Sequence, residues 1–220
     1  MAEERIKNIV EYKKLANIRL KSGFIFKSVR DPSEDVESEI KAYLESQRAS
    51  FNQRVESTFD LPEGEYTKFE FFWTPQRAKR VAADDDRIEQ DKVWFRSQAK
   101  ISLLYLKLRY LIIFKTEFKF AVTEAGCGGN GAIYSTGGRN FTLEEIYFNK
   151  ITTVGAYHDE ELYNVINPGC SGENKSTFNV TEDGFVIRAG EAFRITASQS
   201  FAQELRDARN MINGKISGVN

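Results

Sequence analysis

Histidine is almost absent, cysteine and proline are scarce, and neither sign of charge dominates. The 220 residues contain one His, two Cys and four Pro, and 31 Lys plus Arg stand against 32 Asp plus Glu. A single histidine excludes multi-histidine metal sites and leaves any Ser-His-Asp or Cys-His machinery dependent on His158. Cys127 and Cys170, each flanked by glycine, fit no zinc spacing. In a reducing compartment they are two lone thiols, whereas a disulfide between two loops needs an oxidising one. The balanced charge supplies no global field toward nucleic acid or anionic lipid. The most apolar stretch, Ile101 to Phe114, carries Lys107 and Arg109 and is shorter than the roughly 20 residues of a spanning helix. It reads as core. The charged start, Met1 to Lys7, lacks the apolar centre of a signal peptide, so a cytoplasmic protein is expected. The Asn-x-Ser/Thr triplets at Asn140, Asn174 and Asn179 then arise by chance.

What is present suits a folded, soluble chain: 41% apolar, 13% aromatic and 29% charged residues. The first hundred residues read as a mostly helical region, 1–100, ahead of an antiparallel β-domain with a C-terminal helix, 101–220. A helix is expected around Arg5 to Lys21. A second starts at Asp31-Pro32-Ser33-Glu34, where Asp31 can cap and Pro32 suits the first helical position. Val36, Ile40, Tyr43, Leu44, Phe51 and Val55 recur on one face of it, and Leu61-Pro62-Glu63-Gly64 ends it. Tyr66 to Trp73 reads as a strand. Thr74-Pro75 opens a further helix with Ala78, Val81, Ile88 and Phe95 on one side. Its run Asp84-Asp85-Asp86 reads as a solvated face, because three adjacent helical side chains point in three directions.

Beyond it the period changes from helical to two. Leu104, Leu106, Leu108, Tyr110, Ile112, Phe114, Phe118, Phe120 and Val122 all fall on even positions, which is strand alternation. The first part of the run, up to about Tyr110, also satisfies a helical stripe through Leu104, Leu108, Leu111 and Ile112, whereas Ile112 to Val122 reads as strand. Gly126 to Gly131 is a loop, Ala132 to Ser135 a strand and Gly137-Gly138 a turn. Phe141 to Ile146 and Lys150 to Tyr157 read as strands around a bend, followed by a polar loop from His158 to Lys175. Thr177 to Thr181, Phe185 to Arg188 and Ala192 to Thr196 form a meander with turns at Glu182-Asp183-Gly184 and Ala189-Gly190. The last element is a helix from Phe201 to Ile212, capped by Ser200 and ended by Asn213-Gly214. Phe201, Leu205, Ala208 and Ile212 form its apolar stripe.

The strand Asn149 to Tyr157, the meander Phe178 to Thr196 and the helix beginning at Phe201 together resemble the pleckstrin-homology-like domain, over about residues 112–213. The resemblance implies an α+β protein in which an antiparallel PH-like barrel is capped by the C-terminal helix. It also implies a binding module, not an enzyme. Phosphoinositide recognition does not carry over, because Ala125 to Gly138 contains no Lys or Arg.

Four constellations remain. Gly126 to Gly131 matches a phosphate-binding glycine pattern, but a strand and not a helix follows it, so it reads as a hairpin loop. His158-Asp159-Glu160-Glu161 reads as a solvated cluster. Glu117-Phe118-Lys119, with Asp84, Asp85, Asp86 and Asp91 upstream, has the residue types of a metal-dependent PD-(D/E)xK nuclease. Finally, Lys107, Arg109, Lys115 and Lys119 occupy odd positions and form a basic strip able to bind an acidic partner. The expectation is a non-catalytic protein-interaction or scaffold protein that uses this strip. Its partner is a protein or a second copy of the chain, with no nucleic acid, cofactor or metal. The alternative is the nuclease, using Glu117 and Lys119.

Overall fold

The computed structural model describes residues 13–19, 34–62, 64–73, 93–125, 130–135, 141–169 and 172–218. Among them the order is β1 (Lys13–Arg19), α1 (Glu34–Thr58), β2 (Thr67–Trp73), β3 (Val93–Leu106), β4 (Tyr110–Ala125), β5 (Asn130–Ser135), β6 (Phe141–Tyr147), β7 (Thr153–Gly169), β8 (Gly172–Ala189), β9 (Glu191–Ala197) and α2 (Ala202–Ser217). One antiparallel sheet runs β1-β5-β4-β3-β2, with β6 also paired to β4, and a second runs β7-β8-β9. The protein is therefore α+β, with two antiparallel sheets and a C-terminal helix. Neither sheet closes on itself among the described residues.

The β3–β4 hairpin is the centre of the molecule, because both of its faces are buried. Ile101, Leu103 and Tyr105 on β3, with Ile112, Phe114, Phe118 and Phe120 on β4, pack against Ile40, Leu44, Phe51 and Val55 of α1. The Phe51 and Phe114 rings lie 4.7 Å apart, a pairing worth about 1 kcal/mol beyond the area buried. The other face carries Leu104, Leu106, Leu111 and Ile113. These meet Phe185, Ile187, Phe193 and Ile195 of the second sheet and Leu205, Ala208 and Ile212 of α2. A helix thus covers one face of the first sheet, while the second sheet and α2 cover the other.

A polar network pins α1 to the sheet from its edge. The Tyr105 hydroxyl donates to Asn52 Oδ1, and the Asn52 amide donates to Glu70 Oε1 at 2.7 Å. Burial, with Glu56 and Glu70 close by, pushes the Tyr105 phenol well up, which favours the protonated hydroxyl that donates to Asn52.

Several sequence expectations change. Lys13–Arg19, expected inside a helix, is a strand paired with β5; registry with β5 outweighs a weak helical pattern. The even-numbered apolar run is not one strand. It folds back at residues 107–109, where the Lys107 amide donates to the Tyr110 carbonyl at 2.9 Å, and Leu106 then faces Leu111 in register. The ambiguity over Ile101–Tyr110 resolves as strand up to Leu106, a turn at 107–109 and the start of β4 at Tyr110. Residues 158–169 and 172–175, expected in a loop, are strand, because β7 and β8 stay paired from Thr153↔Arg188 to Gly169↔Gly172. Pro168 and Gly169 sit at the tip of this ribbon instead of within a coil.

Glu182-Asp183-Gly184 likewise makes no turn. Gly184 continues β8 because a Cβ there would lie 1.9 Å from the Ile195 carbonyl oxygen, so the glycine serves a close strand approach. By contrast, Gly190 does turn the chain, at φ +83. Ser200 caps nothing, since the chain enters α2 through a short 3-10 turn, Gln199–Phe201. The helix also passes Gly214 and ends at Ser217, carrying Ile216 onto the core. Phe95, expected on the helix from Thr74, instead lies in β3, paired with Val122 of β4; the expected cap at Asp31, the rest of that helix, the Asp84–Asp86 run, Asp91, both cysteines, residues 126–129 and the 137–138 turn lie outside the described residues.

Candidate functional site

Toward one end of the β3–β4 hairpin the apolar residues facing the second sheet give way to polar ones. On β3 they are Lys100 and Ser102; on β4 they are Lys115 and Glu117. In register Lys100 stands opposite Glu117 and Ser102 opposite Lys115. The second sheet adds Tyr157 from β7, Glu182 from β8 and Arg194 and Thr196 from β9. Together with Thr142 of β6 these residues line an open cleft of about 560 Å³. Registry explains the convergence, since Tyr157, Gly184 and Thr196 form one row across three strands.

The cleft holds three cations and two carboxylates, and they are unequally matched. Lys100 forms an ion pair with Glu182 and lies 4.9 Å from the centre of the Trp73 ring, whose Nε1 in turn donates to the Thr181 carbonyl at 3.2 Å. Arg194 lies 4.9 Å over the Tyr157 ring, and the Tyr157 hydroxyl donates to Asp159 Oδ2 at 2.9 Å. Lys115 is half-buried and makes no hydrogen bond or ion pair with a described residue. Burial, with Lys100 and Arg194 nearby, holds its amine below the ordinary lysine range, and Glu182 only partly opposes this.

The expected basic strip is divided. Lys107 and Arg109 sit in the β3–β4 turn, where Lys107 lies 3.6 Å from Glu65. Leu111 and Ile113, fully buried, separate them from Lys115. Lys119 is exposed farther along β4 and does not line the cleft. Of the four expected residues only Lys115 belongs to this site. Lys100, Tyr157, Glu182 and Arg194 were not singled out, because no local pattern links residues drawn from four strands.

The other constellations can be placed as well. Glu117 lines the cleft and shares a strand face with Lys119, but the aspartates expected to join it lie outside the described residues. His158 is exposed, with Nδ1 2.7 Å from Asp183 and Nε2 3.2 Å from Glu160. Those hydrogen bonds raise its pKa above the ordinary imidazole range. Among the described residues no group of three His, Cys, Asp or Glu side chains could hold a metal ion. No helix among them is long and apolar enough to cross a membrane. No protein-family model, no curated protein and no solved structure matches the chain.

Proposed function

We propose that this chain is a non-catalytic interaction protein that holds an acidic segment of a protein partner in the inter-sheet cleft. The observation that carries the reading is Lys115, a half-buried ammonium beside Lys100 and Arg194 with no carboxylate bound to it among the described residues. Gathering like charges in a partly desolvated site is unfavourable, and an arriving carboxylate relieves that cost. Lys100 is already offset by Glu182, which leaves Lys115 and Arg194 to receive the ligand, while Glu117 at the margin opposes over-tight binding. The meander β7-β8-β9 closed by α2 supports building the module on a PH-like β-domain. Glu117 and Lys119 join no group of three His, Cys, Asp or Glu side chains among the described residues, and Glu182, the other carboxylate lining the cleft, is paired with Lys100, so the nuclease reading has less behind it.

The test is a fluorescence-anisotropy titration with a labelled glutamate-rich peptide at low and moderate salt. Lys115→Met should weaken binding about tenfold, the loss of one partly desolvated charge contact worth ~1.4 kcal/mol, and Arg194→Met, which removes an exposed charge, should weaken it less. Lys107→Met with Arg109→Met should change it little. Binding that depends on the turn residues and ignores Lys115 would restore the strip and sink the cleft.

A further inference from the structure

We propose that Lys115 is an acyl-acceptor site whose side-chain amine takes an acyl group from a small anionic donor, an acyl phosphate, docked through its phosphoryl group against Arg194. The cleft is open and, at about 560 Å³, roomy enough for such a donor. The groups facing it are Lys100 from β3, Glu117 from β4, Tyr157 from β7, Glu182 from β8 and Arg194 from β9. The cations beside the amine do two things at once. Arg194 attracts the anionic donor, and with Lys100 it favours the unprotonated amine, which is the nucleophile. Burial acts in the same direction on Lys115. Lys100 competes poorly, because its ammonium is tied to Glu182 and the Trp73 ring.

In the step itself the Nζ lone pair attacks the acyl carbon, and the carbon–oxygen bond to phosphorus's oxygen breaks. Inorganic phosphate leaves with that electron pair, the nitrogen loses its proton to solvent, and a neutral amide remains. The product lacks one of the two cations that would receive an acidic segment, so acylation releases the partner. This consequence rests on the proposed function, whereas the acylation itself does not.

The experiment incubates the full chain with limiting acetyl phosphate and follows each lysine by peptide-mapping mass spectrometry. Lys115 should be acetylated several-fold faster than exposed Lys119 on the same strand. Arg194→Met, with folding verified by its thermal melt, should lower the Lys115 rate and leave the Lys119 rate unchanged. Equal rates on Lys115 and Lys119 overturn the site, and a Lys115 rate indifferent to Arg194 overturns the docking. Titrating the acidic peptide in parallel separates the two proposals. Peptide binding without selective acetylation overturns only this inference, and selective acetylation without peptide binding overturns only the proposed function.

Discussion

Leu104 and Leu108 have the same chemistry and the same parity in the sequence, yet the hairpin gives them opposite environments. Leu104 is 0% exposed and Leu108 is 79% exposed. A continuous β-strand or a continuous helix would place both on one face, since they are four residues apart. Leu104→Ala removes a fully buried side chain packed among Phe71, Leu111 and Ile113 in the same cluster, at a cost of about 3–4 kcal/mol including the cavity left behind. For a chain of this length that lowers the melting temperature by roughly 10 °C. Leu108→Ala removes a side chain already in water and should change stability by less than about 0.5 kcal/mol. Urea unfolding of the two variants beside the parent, with m-values compared, measures the difference. Similar losses in both would refute the turn at 107–109 and the division of the basic strip that follows from it.

Two glycines should respond to alanine with opposite signs. Gly184→Ala forces a Cβ to within 1.9 Å of the Ile195 carbonyl, backbone that cannot move aside cheaply, and should cost about 3 kcal/mol or prevent folding. Gly214→Ala meets nothing within 4 Å inside α2 and should stabilise by roughly 0.5–1 kcal/mol, because the helix continues through it; thermal melts read both. The raised pKa of His158 fixes a sign: its contribution to stability is fully present below the unfolded imidazole value of ~6.5 and fades as pH rises through the higher folded value. An imidazole proton titration by NMR should give a midpoint above ~6.5 that falls in Asp183→Asn.

Helices α1 and α2 were legible in the sequence for the same reason. Ile40, Leu44, Phe51 and Val55, and Leu205, Ala208 and Ile212, each meet a single apolar surface, so burial writes a one-sided stripe. The β3–β4 hairpin hid itself because it is buried on both faces. Leu103 and Tyr105 are as enclosed as Leu104 and Leu106, and alternation loses its meaning there. Its turn contains neither glycine nor proline to mark it. Gly184 misled in the opposite direction, since glycine serves close strand approach as readily as a turn. Lys115 was visible as part of a charge pattern, but its partners were not. Lys100, Glu182 and Arg194 reach it only through strand registry and the packing of one sheet on the other, and neither leaves a local signature.

The most direct test of the cleft is two-dimensional NMR of the isotope-labelled chain titrated with the unlabelled glutamate-rich peptide. The account predicts saturable shifts clustered at Ser102, Lys115, Thr142, Tyr157 and Thr196, abolished by the double variant Lys115→Met with Arg194→Met. Shifts clustered at Lys107, Leu108 and Arg109, or none that saturate, would contradict it.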